Sequence, residues 1–563
     1  MQHKRFWFQL KEVFKNISWF DGLVFLTTAL FSVWLMSSTF AYKDGQLIIK
    51  AKLWSDFAAH LPLIRSFSFG QNFPPQYPQF ANEPTRYHYL FYLLVGGLEK
   101  IGFNLAVALN SLSAIGLSLL LLMIYRYAKL LAGRQKKQQY LAGGLAIFLF
   151  LFNGSLTFVD YFKQAGLSWT SLRNITTLRD FVNFGPWTGD VISAFWNWNV
   201  YTNQRHLALS FGLVLWLLWP LVKTSFDEKK AFRWSASKLV FFWLGLILLP
   251  FFNQAAYVIA FSFILGWLIL NPRLIKQQGL IYGLGLLYSS PGFVYFWLLN
   301  HGSVHFRLGF LAADRNWLSI VEYWWQNLGL YLILWPILYL VGEKKQKKLW
   351  LIFSSYFVLA NVWQLSADLI NNHKLVNFFQ IGLVILLAVQ VAKVWSQSWL
   401  KKISVLILII PLTLSGFIDA WPVINDRQIK IKDPIYQPFG QWLSANTDPS
   451  NVFVTSQYLY NPVSLAGRKT YLDYGYFAWS LGYDDRARRK NLFKIFQIET
   501  STKNWCDFML KQAISHVLIS TGQPDFDIPG WENSWLIKQH QPTAVSPDGD
   551  RLYSVSEICS MIN

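Results

Sequence analysis

Apolar runs recur from residue 20 to residue 421, separated by short polar stretches. A helix rises about 1.5 Å per residue and so crosses about 30 Å of hydrocarbon in about 20 residues. The runs therefore predict helical spans over 20–41, 103–125, 140–159, 206–222, 239–253, 255–271, 279–298, 319–341, 349–367, 375–394 and 403–421, about eleven in all. Their continuity excludes the alternating pattern of a membrane β-barrel. One more apolar stretch, YHYLFYLLVGGLEKIG at 87–102, is predicted to lie in the outer interface as a juxtamembrane helix. Past residue 421 there is no spanning run, and short segments such as VFVTSQYL and HVLIS alternate with helical patterns. This predicts a small α/β domain over 422–563, after a membrane module over 1–421.

Composition supports a polytopic membrane protein: 53% of the 563 residues are hydrophobic and only 14% are charged. The excess of basic over acidic residues, 50 against 30, falls mainly between apolar runs, as in RYAKLLAGRQKK at 126–137, EKKQKK at 343–348 and KVWSQSWLKK at 393–402. Such clusters mark cytoplasmic loops rather than a nucleic-acid surface, which places the N-terminus inside and the C-terminal domain outside. The first apolar run is too long for a cleaved signal and lacks a clear cleavage site, so it is expected to remain as an anchor. Cys506 and Cys559 then lie in an oxidising compartment that admits a disulfide.

This topology leaves three long outer loops, 42–102, 160–205 and 299–318. Long ordered loops usually carry function. In the first, WSDFAAH places Asp56 and His60 four residues apart, hence on one helix face, where an acid and an imidazole can enter a cavity together. The competing expectation is a solvated helix start that Ser55 or Asp56 caps. The chain contains no P-loop, dinucleotide fingerprint, HExxH, CxxC or GxSxG, so ATP-driven transport, redox chemistry and serine hydrolysis have no sequence support.

An Asp just after the first span, a long loop with juxtamembrane helices, many further spans and a C-terminal domain together resemble the GT-C superfamily of integral-membrane glycosyltransferases. The architecture is similar to that of protein mannosyltransferases and aminoarabinose transferases. The segment WSDFAAHLPLIRSFSFGQNFPPQYPQF with the later RYHYL resembles a bacterial group of GT-C-like proteins. Phe57 follows Asp56, so the Asp-Glu pair of the protein mannosyltransferases is absent. The resemblance implies a polyprenyl-phosphate or polyprenyl-diphosphate sugar donor, a lipid, glycan or protein acceptor, and a bacterial plasma membrane. It makes Asp56 the catalytic base, with His60 orienting the base or the acceptor. No cofactor is firmly implied; a divalent metal fits this chemistry, with its ligands unknown.

A leaving phosphate needs cations. Arg205 and His206 before the fourth span, and His373 and Lys374 before the tenth, are the candidates, with snorkelling membrane anchors as the alternative. Arg86 and His88 in TRYHY, and His305 and Arg307 in the third loop, are further candidates for substrate contact. Asp190 in PWTGD reads as a second carboxylate, as part of a metal site, or as part of a turn. Trp196 and Trp198 in FWNWNVY can stack on a sugar or form an interfacial belt. The polar and aromatic stretch 466–489 either covers the cavity or is a solvated surface. A transporter or flippase of lipid-linked sugars, and an inactive scaffold, are the competing functions; concentration of polar residues in the outer loops favours the enzyme.

Overall fold

The structure, a computed structural model, describes residues 18–185, 191–226, 234–300, 304–456, 459–496, 501–521 and 535–561. Its long helices follow the apolar runs: α1 (Trp19–Thr39), α2 (Trp54–Ser68), α3 (Leu90–Lys100), α4 (Leu105–Leu131), α5 (Lys136–Leu151), α6 (Arg205–Phe226) and α7 (Ala236–Phe252). They continue with α8 (Gln254–Leu270), α9 (Pro272–Leu299), α10 (Trp317–Leu328), α11 (Leu330–Val341), α12 (Lys344–Val362), α13 (His373–Trp395) and α14 (Trp399–Ile424). A helix underlies each of the eleven expected spans. Among the described residues, five are long and apolar enough to cross a membrane, or six if the bent pair α10–α11 is one span.

Two expected spans are interrupted. The run 140–159 ends as a helix at Leu151, and a separate helix, Thr157–Ala165, follows. The run 319–341 bends by 95° between α10 and α11. Gly329 sits at that bend with φ +53°, a conformation that costs glycine little, and caps α10 through its N–H to the Trp325 carbonyl. Hydropathy averages over such a break and so does not register it.

Helix α13 runs through the centre of the bundle, nearly all of it buried, while α4, α5, α12 and α14 pack around it. At one end of the bundle, β1 (Phe40–Lys43) and β2 (Gln46–Lys50) form a hairpin through Asp44 and Gly45, both at positive φ as a two-residue turn of this kind requires. Strand β5 (Gln428–Lys432), which follows α14, pairs antiparallel with β2, so the first loop and the chain leaving the last helix share one sheet. A buried ion cluster fastens the same junction: Arg65 on α2 lies 2.6 Å from Asp433 and 3.3 Å from Glu99 on α3.

Beyond β5, five strands form a mixed sheet in the order β7 (Lys469–Thr470), β6 (Val452–Thr455), β8 (Ile514–Ile519), β10 (Arg551–Ser554), β9 (Ala544–Val545), with short helices around it. Cys506 and Cys559 are joined in a disulfide that links helix Thr502–Lys511 to helix Val555–Ser560. The stretch 77–81 of the first loop packs into this sheet's core through Tyr77, Phe80 and Ala81.

Candidate functional site

Helix α2 begins at Trp54, and no side chain caps it, so Asp56 is free of that role and sits in the first turn. Pro62 lies inside the helix and has no N–H to give to the Ala58 carbonyl one turn back. Gln79 takes over that acceptor, donating from Nε2 at 3.1 Å, and makes a second contact, 3.2 Å, to Asp473. Asn461 also donates to Asp473, at 3.1 Å, and the Tyr474 N–H does so at the same distance. The proline in α2 is thereby wired to the segment that carries Tyr474 and Tyr476.

These elements enclose a cavity of about 370 Å³. Asp56 and His60 enter it from α2, Lys374 and His373 from the start of α13, and Asn199, Asn203 and Gln204 from the segment before α6. Asp368 and Asn371 enter from the turn before α13, and Tyr474, Tyr476 and Phe477 close it from the side of the C-terminal sheet. Four of the expected residues thus meet in one place although two stretches of sequence supply them.

Burial pushes the Asp56 carboxyl up to about 6, against the opposing pull of the Lys374 charge. The carboxylate keeps part of its surface on the cavity, so it is mostly ionised at neutral pH while holding a proton more readily than a solvated Asp. Burial, together with the charges of Lys374 and Arg205, pushes His60 down to about 3, leaving a neutral imidazole. Lys374 donates to Asn371 Oδ1 at 3.1 Å. His373 is held from both sides, Nδ1 against Asn377 Oδ1 at 2.7 Å and Nε2 against the Gln204 amide nitrogen at 3.1 Å. These partners fix the tautomer with the proton on Nδ1. Asp368, between the Ile370 N–H and the Tyr476 hydroxyl, accepts from the latter at 2.8 Å.

Several expectations are corrected by geometry. Arg205 does not line the cavity: its guanidinium donates to Thr202 O, Asn110 Oδ1, Met36 O and Thr39 Oγ1 at 2.8–3.2 Å and lies over the Phe57 ring. It binds α1, α4 and α2 together. His206 is turned away too, with Nδ1 2.8 Å from the Tyr92 hydroxyl and its ring against His88. His88 is buried behind the cavity between Tyr87 and His206. Arg86 lies over the Tyr483 ring and donates to the Gly482 carbonyl, tying the first loop to the C-terminal region.

Trp196 donates to Asn327 at 2.9 Å, and Trp198 stacks on Phe31, so both serve the bundle's packing rather than a sugar face. His305 belongs to a two-residue strand, β3 (His305–Phe306), paired with β4 (Trp363–Gln364), and Arg307 follows it; neither reaches the cavity. Asp190 lies outside the described residues.

Sequence reasoning missed Asp368, Gln204, Asn199, Asn203 and Asn371, which carry no motif. It left the 466–489 stretch between two roles, and Tyr474, Tyr476 and Phe477 from that stretch line the cavity. Among the described residues, no three His, Cys, Asp or Glu side chains are arranged to hold a metal ion.

No family model matches the chain, and no curated protein matches it significantly. Among solved structures it is similar to the archaeal oligosaccharyltransferase AglB from Archaeoglobus fulgidus in complex with an inhibitory peptide and a dolichol-phosphate. The TM-score is 0.43 at 13% identity, over 89% of this chain and 70% of that one. A likeness at that level carries no argument about activity.

Proposed function

We propose that the chain is a membrane glycosyltransferase that moves a sugar from a polyprenyl-phosphate or polyprenyl-diphosphate donor to a hydroxyl of a lipid, glycan or protein acceptor. The observation that carries this is the convergence of Asp56 and Lys374 on one cavity, a raised carboxylate facing an ammonium group across a space large enough for a sugar. The reaction needs both. As the acceptor oxygen bonds to the anomeric carbon, the bond from that carbon to the phosphate oxygen breaks and the electron pair leaves with the phosphate. Asp56 takes the acceptor's proton, and Lys374 balances the charge on the departing phosphate.

His60, neutral and one turn along α2, orients the acceptor hydroxyl or Asp56. His373, held by Asn377 and Gln204, presents a fixed neutral ring beside Lys374. Arg205 acts indirectly, by holding Phe57 and the end of α1 beneath the site. The cavity and the C-terminal α/β domain lie on the extracytoplasmic side of a bacterial-type plasma membrane, with the basic loops inside.

The test is transfer from labelled polyprenyl-phosphate and polyprenyl-diphosphate sugars by membranes containing the native chain or Asp56→Asn, at equal folded protein. Transfer that Asp56→Asn abolishes is expected. Movement of a lipid-linked sugar between leaflets without transfer, unaffected by Asp56→Asn, would replace the enzyme by a transporter.

A further inference from the structure

We propose that α10 is a bilayer-surface element, lying in the membrane plane at the cavity-bearing end of the bundle with an apolar stripe set into lipid. Helix α11 packs against α12 and α13, and α13 belongs to a segment long and apolar enough to span. Trp335 on α11 meets the Phe379 ring at 5.2 Å and donates to Ser354 on α12 at 2.8 Å. With α11 running along the bundle, the 95° bend turns α10 parallel to the membrane surface.

The helix is built for that position. Trp317, Leu318, Val321 and Trp325 are 73%, 62%, 46% and 38% exposed. At about 100° per residue they occupy one arc of the helix, while Tyr323 and Asn327 on the far side are buried, as are Trp324 at the edge of the arc and Leu328 in the last turn, next to the bend. Tryptophans flanking aliphatic residues on one face are the pattern of an interfacial helix. The stripe continues the exposed apolar flank of α11 at Ile333, Ile337 and Leu340, which favours lipid over a second protein as its occupant.

Length adds a constraint. The 12 residues of α11 lead directly into the basic stretch 343–348 at the opposite end. They rise only about 18 Å, against about 30 Å of hydrocarbon. The bend therefore lies no farther out than the headgroup boundary, where α10 meets lipid rather than open water.

That seating reaches the cavity. On the buried face of α10, Asn327 Oδ1 accepts from the Ile192 N–H at 3.0 Å and from Trp196 Nε1 at 2.9 Å. Ala194 and Phe195, between those two residues, are part of the cavity wall. The inference stands whether or not the cavity transfers a sugar.

The native disulfide uses both cysteines, so an introduced cysteine is the one free thiol. Leu318→Cys, Val321→Cys and Trp325→Cys, with Asn316→Cys as the water-side control, are labelled with bimane in the full-length chain. The chain is reconstituted in phosphatidylcholine–phosphatidylglycerol vesicles. The stripe positions are expected to emit to the blue of the control, and headgroup-region spin-labelled lipids are expected to quench them roughly threefold or more better than aqueous iodide does. Iodide quenching equal to the control at two stripe positions would overturn the proposal, because the stripe would face water. Protection from both quenchers would also overturn it, in favour of a second protein covering α10. Three positions are read so that one poorly folding variant does not decide the outcome.

Discussion

Asp56→Asn should make the protein more stable at neutral pH while removing its activity. Burial raises the carboxyl from 3.8 to about 6. A raised carboxyl favours the folded state fully below its unfolded pKa and loses that contribution as pH rises through the folded one. Two units at about 1.4 kcal/mol each give about 3 kcal/mol, an upper bound because cavity water reaches part of the carboxylate. The native chain therefore forfeits up to about 3 kcal/mol between about pH 4 and about pH 7, and asparagine, which carries no charge, forfeits none.

The assay is thermal unfolding in lipid nanodiscs, followed by tryptophan fluorescence from pH 4.5 to 8. It is read as variant minus native at each pH so that other titrations cancel. The difference should be smallest at the acid end, grow with pH and level off in favour of Asp56→Asn above about pH 6. A variant less stable than the native chain at pH 7.5, or a difference that does not change with pH, would refute the reasoning. Asp56 would then be a paired or capping carboxylate. The same pKa sets the rate: transfer should fall as pH drops below about 6 and Asp56 takes up its proton.

Arg65→Met should cost about 3–5 kcal/mol by leaving Glu99 and Asp433 buried without their cation, measured by unfolding at pH 8. Burial raises both carboxyls, so the loss should shrink at pH 5, where they accept protons more readily. Arg205→Met should cost about 3 kcal/mol or more of stability, because four acceptors lose a charged donor. An unchanged melting curve with weakened donor binding would return Arg205 to the phosphate. Tyr476→Phe removes the hydroxyl that donates to the Asp368 carboxylate, and acceptor KM should rise about three- to tenfold with kcat nearly constant. A fall in kcat of about a hundredfold instead would make Tyr476 a catalytic group.

Helix positions were legible because bilayer thickness writes itself into run length. Asp56 and His60 were legible for a similar reason: a four-residue spacing fixes a shared helix face whatever the fold. The start of a helix offers no such rule. Gln204 and Arg205 are neighbours, yet one faces the cavity and the other the space between α1 and α4, and only packing decides which. Trp196 and Trp198 satisfy the belt and sugar-stacking expectations equally well as sequence, and the bundle uses them as core. The contact between Asp368 and Tyr476 joins positions 108 residues apart and leaves no local trace. The bend at Gly329 was hidden because an apolar stretch on either side of a corner has the same hydropathy as a straight one.

The pairing of β2 with β5 also sets a timetable for biogenesis. Lys50 meets Gln428, so the first hairpin leaves the ribosome long before its partner strand exists. At about 5–20 residues per second, that interval is roughly 20–80 s. Throughout it, one edge of β2 stands open, and an open edge invites pairing with any passing strand. The alternating lysines of β5, Lys430 and Lys432, suit a strand that must stay soluble until it docks. Until it does, the first loop and the chain leaving the last helix are not joined, so a chain stalled before β5 is expected to lack a closed cavity.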